Sequence, residues 1–113
     1  MHELSVTQNL LDIALRHAQD SNAKRILRLN IVIGQLATIV DDSVQFYWDL
    51  IAENTIAEGA QLTFCRIPTE LHCQDCHRQY TPGLDDFNCP ECQGTNVIIV
   101  AGKEFYLESI EVE

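Results

Sequence analysis

Two short cysteine pairs constrain this chain more than any other feature. Cys73-Gln74-Asp75-Cys76 and Cys89-Pro90-Glu91-Cys92 are separated by twelve residues. In each Cys-x-x-Cys knuckle a tight turn brings two thiolates towards one ion. Two knuckles together supply a tetrahedral four-sulfur set, which zinc favours at ~2.3 Å per bond. Asn88, Pro90 and Gly94 suit the turns around the second knuckle. From Thr69 to Asn96 the chain is rich in Cys, Asp, Gln, Pro and Gly, and apolar periodicity disappears. Such a segment cannot build its own core. A bound ion would supply the missing folding free energy, up to ~10 kcal/mol or more by analogy with zinc-finger peptides.

Two rivals share the cysteine pattern. A redox dithiol or disulfide set is one, although paired knuckles rarely serve that role. Iron in a rubredoxin-like cage is the other, since Cys89-Pro90-Glu91-Cys92 resembles half of such a site. Few aromatic residues flank the knuckles to shield an iron centre, which favours zinc. A closed four-sulfur site leaves no position for water or substrate, so it reads as structural rather than catalytic. His72 and His77 lie directly outside the first knuckle. They read as exposed polar residues, or as hydrogen-bond donors or alternative ligands responsive to pH near ~6.5. The fifth cysteine, Cys65, lies on a predicted strand and reads as a buried free thiol. Five cysteines, four of them in knuckles, fit a reducing compartment better than a disulfide framework.

Outside the knuckles the pattern is globular. Leu4 to Asp20 predicts a helix, with Leu4, Leu11, Ala14, Leu15 and Ala18 at helical spacing. Lys24 to Gly34 predicts a strand with Leu27, Leu29, Ile31 and Ile33 on one face. Asp41 or Asp42 caps a second helix, whose stripe of Val44, Tyr47, Trp48, Ile51 and Thr55 reads as core. Gln61 to Ile67, Val97 to Ala101 and Glu104 to Val112 predict strands. In the last, Phe105 and Leu107 are out of phase with Ile110 and Val112, which a bulge near Ser109 would reconcile. The chain therefore leaves its main layer near Pro68 and returns near Val97. The expected fold class is α+β: two helices on a small, mostly antiparallel sheet, with an inserted zinc-ribbon-like four-cysteine domain.

The formal charge is −10, from 17 acidic and 7 basic residues. That argues against nucleic acid and against an anionic membrane surface, both of which need clustered Lys and Arg. No segment approaches the ~18 apolar residues of a membrane span, and no signal peptide is evident, so the expected location is the cytoplasm. No nucleophile–base set, phosphate loop or open metal site points to an enzyme.

Met1-His2-Glu3 stands immediately before the first helix. Met1 is expected to be retained, because its removal requires a small second residue. The α-amine, the His2 peptide nitrogen and His2 Nδ1 can chelate one ion through fused rings, with Glu3 adding a peptide nitrogen or a carboxylate. A planar, nitrogen-rich set suits Ni(II) or Cu(II). With an amine pKa of ~7.7–8, protons would compete near neutral pH. A histidine at position two is also a common incidental feature, and the residues alone leave both readings open.

The whole chain resembles the HypA/HybF family of hydrogenase nickel-incorporation proteins. The resemblance rests on Met1-His2-Glu3-Leu4-Ser5, the helix and strand ending near Gly34, the two knuckles, and the closing Gly102-Lys103-Glu104-Phe105 with Ser109-Ile110-Glu111-Val112. It implies a metallochaperone with a nickel domain, residues 1–67 and 98–113, and a zinc domain, residues 68–97. Nickel would be held by Met1, His2 and Glu3, and structural zinc by Cys73, Cys76, Cys89 and Cys92. The implied partners are a HypB-type GTPase and the large subunit of [NiFe]-hydrogenase, with urease served in some organisms. The chain would act as a monomer or dimer. The alternative is a zinc-stabilised interaction adaptor that transfers no nickel.

Overall fold

The structure is a computed structural model that describes residues 3–39, 41–83 and 86–113. Among the described residues there are two helices and six strands. Helix α1 spans Glu3–Asp20 and α2 spans Asp41–Ile51. The strands are β1 (Ile26–Gly34), β2 (Gln61–Ile67), β3 (Glu70–Cys73), β4 (Gln79–Tyr80), β5 (Val97–Ala101) and β6 (Phe105–Val112). They form two three-stranded sheets, ordered β2-β1-β6 and β4-β3-β5. The α+β class expected from the sequence is the class observed.

The chain divides into two compact units. The first comprises the chain up to Val32, Thr38–Cys65 and Tyr106–Glu113, and the second comprises Ile33–Ala37 and Arg66–Phe105. In the first, α1 and α2 pack on each other. Leu10, Leu11, Ala14 and Ala18 of α1 are buried, as are Val44 and Trp48 of α2 and Ile26, Leu29 and Ile31 of β1. Apolar spacing near 3.6 residues places the helix side chains inwards, and Leu29 and Ile31 keep the two-residue spacing of one strand face. Helix α1 stops because Asn22 adopts a left-handed φ of 56°, letting Ala23 N–H bond to Ala18 C=O at 2.9 Å. Asp41 and Asp42 favour the start of α2 through the helix dipole.

The β2-β1-β6 sheet is mixed. Glu113 N–H bonds Arg25 C=O at one end of the β1–β6 pair and Gly34 N–H bonds Glu104 C=O at the other, so that pair is antiparallel. Arg28 reaches Thr63 and Gln61, while Gln35 N–H bonds Ile67 C=O; partners rise together, so β1 and β2 run parallel with α2 as the crossover. Both pairs of the second sheet are antiparallel.

Several elements differ from expectation. The first strand begins at Ile26, which is buried, whereas Leu27 is exposed despite sharing parity with Leu29. Ile26 N–H bonds Ile56 C=O, and this anchors the strand's start with Ile26 inwards. Thr55 lies past the end of α2. Cys65 is exposed, not buried. It follows Thr63 on the face of edge strand β2 opposite Leu62, the face on which Thr63 Oγ1 meets Arg28. The half-buried positions of β6 shift from Phe105 and Leu107 to Ile110, as the two phases of its sequence anticipate.

The second unit reaches beyond the expected insert 68–97. Val97–Ala101 does not return to the main layer; it pairs with β3, in a register that sets Cys73 opposite Val97 and Leu71 opposite Ile99. Ile33–Ala37 joins by backbone bonds from Leu36 N–H to Gly102 C=O (2.7 Å) and Gln35 N–H to Ile67 C=O (2.8 Å). The approach of Gly34 to Gly102 leaves no space for a side chain. A Cβ on Gly34 would sit 2.1 Å from the Gly102 oxygen, and Gly102 itself holds a φ of 117°. Gly34→Ala should therefore cost about 2–3 kcal/mol of stability, because backbone, not a flexible side chain, must move. Thermal melting of the variant beside the parent checks this, and an unchanged midpoint contradicts it.

Candidate metal centre

Cys73 ends β3 and Cys76 closes the turn after it. His77 N–H bonds Cys73 C=O at 2.9 Å, and His77 adopts a left-handed φ of 64°. The second knuckle repeats the arrangement: Gln93 N–H bonds Cys89 C=O at 2.8 Å, with Gln93 at φ 58°. Each turn thus closes through the residue following its second cysteine. That residue takes a conformation usually left to Gly or Asn, at a strain of about 1 kcal/mol or more. Cys89 N–H to Gly94 C=O (3.0 Å) and Cys73 N–H to Arg78 C=O (2.8 Å) fix the first cysteine of each knuckle.

The four Sγ atoms converge within 4.8 Å of one another. Cys73 and Cys92 sulfurs are 3.6 Å apart, and those of Cys76 and Cys89 are 3.4 Å apart. A tetrahedral ion at ~2.3 Å from each sulfur requires sulfur–sulfur edges of ~3.8 Å, so the cluster is compatible with structural zinc. Each knuckle places its first cysteine inside: Cys73 and Cys89 are buried, Cys76 is half-buried and Cys92 exposed. Leu71, Cys73, Tyr80 and Cys89 form a small buried cluster with Val97 against it. Half of that core is sulfur from the candidate ligands.

The thiols are electrostatically linked. The hydrogen bond with Cys89 pushes the Cys76 thiol up to about 12. Backbone N–H from Cys92 lowers Cys89 to about 7, so Cys89 is the sulfur readiest to meet a cation. Burial raises the Tyr80 phenol, whose O–H donates to Phe87 C=O. Across the knuckles Arg78 and Glu91 pair at 3.3 Å, but both are exposed, so this contact adds little.

His72 and His77 bring their rings to 6.1 Å of each other beside the first knuckle, and neither joins the four-sulfur cluster. Of the N-terminal trio, Met1 and His2 lie outside the described residues, while Glu3 opens α1 with its carbonyl accepting from Thr7 Oγ1. What sequence reasoning missed is the framing of the cysteines by a β-sheet. Strands β3 and β4 are four and two residues long, too short to declare a period. Because a metal must displace the proton that Cys76 holds at neutral pH, zinc uptake by the metal-free chain should release protons. Apparent affinity should fall as pH drops. Titration calorimetry in buffers of different ionisation enthalpy checks this; a heat independent of buffer contradicts it.

The described fold and the knuckles can be set beside known proteins. The family model "Hydrogenase/urease nickel incorporation, metallochaperone, hypA" matches residues 1–112. A protein named hydrogenase maturation factor HypA from Dehalococcoides mccartyi (strain ATCC BAA-2266 / KCTC 15142 / 195) is 44% identical over 113 residues, covering 100% of this chain and 95% of its own. One of the same name from Caldanaerobacter subterraneus subsp. tengcongensis is 45% identical over 114 residues, covering 100% of both. The solution structure of the Ni metallochaperone HypA from Helicobacter pylori superposes with a TM-score of 0.69 at 29% identity, covering 99% of this chain and 97% of that one. Another solution structure of HypA protein gives a TM-score of 0.77 at 30% identity, covering 100% and 97%. The chain belongs to the HypA family of hydrogenase/urease nickel-incorporation metallochaperones.

Proposed function

We propose that this chain binds Ni(II) at its N-terminus, through the Met1 amine, His2 and Glu3, and delivers it to the large subunit of [NiFe]-hydrogenase during maturation. Zinc held by Cys73, Cys76, Cys89 and Cys92 is its permanent, structural ion. The observation that carries the reading is the family match, which begins at residue 1 and so includes Met1-His2-Glu3. Glu3 opens α1, so the two residues before it precede a helix N-terminus. Their nitrogen donors suit Ni(II), whereas thiolates suit zinc.

On this reading the first unit carries the transferable ion and the second the fixed one. A HypB-type GTPase is the partner in transfer, in the cytoplasm, and the chain itself is no catalyst. Among the described residues no helix is long and apolar enough to cross a membrane.

Exchangeability follows from the donor sets. A terminal chelate is completed by few side chains, and protonation of its amine opens it near neutral pH. Four sulfurs on two closed turns dissociate only if both turns open. His2→Ala should therefore weaken Ni(II) binding by at least about tenfold while zinc content and fold persist. Calorimetry on untagged protein, with elemental analysis for zinc, measures both. Equal nickel affinity in the variant refutes the site. No nickel uptake by the unextended parent leaves a zinc-stabilised adaptor.

A further inference from the structure

Helix α2 carries an apolar pair that the core does not use. Phe46 and Leu50 are 61% and 56% exposed, and at i and i+4 they form one ridge. The opposite face, through Val44 and Trp48, is buried in the first unit. Phe46 is held edge-on to Tyr47, with ring centroids 5.4 Å apart and planes at 71°, so the anchor is pre-positioned. Asp42, Asp49 and Glu53 are exposed around the ridge. From Asp41 to Glu58 the sequence has five carboxylates and no lysine or arginine.

We propose that this face of α2 is a docking surface for an amphipathic helix of another protein, one whose apolar stripe is flanked by Lys and Arg. The charge selects the occupant. A second copy would bring the same carboxylates against themselves, which like-charge repulsion opposes, whereas a basic-flanked helix satisfies both the ridge and its rim. An anionic lipid surface is disfavoured for the same reason. The ridge of i and i+4 residues fits the groove geometry of crossing helices. Two anchors are few compared with the 20–30 residues a side of a stable interface, roughly 800 Å² per partner, so the complex is transient and its rate salt-sensitive. The inference does not depend on the nickel site, and its readout contains no nickel.

The test uses the full zinc-loaded chain and synthetic helical peptides of Leu and Lys. One peptide has a continuous Leu stripe, one is scrambled to the same charge, and one has Glu in place of Lys. Amide NMR shifts locate binding. The striped Lys peptide should shift the Phe46, Asp49 and Leu50 amides. Phe46→Ser with Leu50→Ser should weaken it about tenfold, as should raising salt from about 50 to 300 mM. Both side chains are more than half exposed, and retained zinc and helicity would verify that the variant folds. Equal binding of the scrambled peptide, shifts that map elsewhere, or equal binding of the Glu peptide would overturn the proposal. So would self-association of the parent that the double substitution abolishes, because the occupant would then be a second copy.

Discussion

The convergence of four sulfurs is what the second unit depends on. Its buried cluster contains Leu71, Cys73, Tyr80 and Cys89, so the residues that would grip an ion are also the residues that exclude water. Apolar burial of this size cannot offset the entropy of ordering the residues around it, at about 1–2 kcal/mol of backbone each. The ion therefore acts as the cross-link that a larger core would make unnecessary. The thiol electrostatics agree. The contact with Cys89 holds the Cys76 thiol in its protonated form, and Cys73 meets Cys92 in the same way, so the sulfurs associate two by two. A divalent ion displaces the thiol protons and ties all four sulfurs to one centre.

Beyond the sulfurs, the second unit is tied by main-chain contacts at its glycines. Gly34 N–H, Gln35 N–H and Leu36 N–H donate to Glu104, Ile67 and Gly102 carbonyls, so three passes of the chain meet within a few residues. Two side chains complete the set: Gln35 Oε1 accepts from Thr69 N–H, and Glu104 Oε1 accepts from Gly102 N–H. Backbone can approach backbone this closely only where no Cβ intervenes, which is why Gly34 and Gly102 occupy the crossing.

How much of this was legible in the sequence varied with the range of the signal. The knuckle spacing is local and chemical, so Cys73, Cys76, Cys89 and Cys92 were identifiable without a fold. Both helices were readable because each repeats its period over several turns. Strand β4 was not, since two residues carry no period. The partner of β5 was not either: Val97–Ala101 is apolar throughout, and such a run does not say which sheet it joins. Cys65 was misplaced because residue type predicts burial only on average. Its exposure follows from its parity on an edge strand, known only once β2 is placed beside β1. Phe46 and Leu50 escaped notice for the opposite reason: the neighbouring stripe of Val44 and Trp48 accounts for the helix without them.

A protein that moves a metal must combine two retention times. The permanent ion requires ligands that cannot leave one at a time, and the knuckles meet this by placing one buried and one outer sulfur on each closed turn, so that losing an outer sulfur leaves the buried pair engaged. A transferable ion requires the reverse, donors few enough for an acceptor to displace them in sequence. Transfer also requires a contact that forms quickly and ends quickly. Long-range charge speeds encounter, while a small apolar anchor limits residence, since affinity among related complexes varies mainly through dissociation. On the docking proposal, the five carboxylates between Asp41 and Glu58 would supply the first property and the exposed ridge of α2 the second. A broader hydrophobic face would prolong such a contact beyond brief docking.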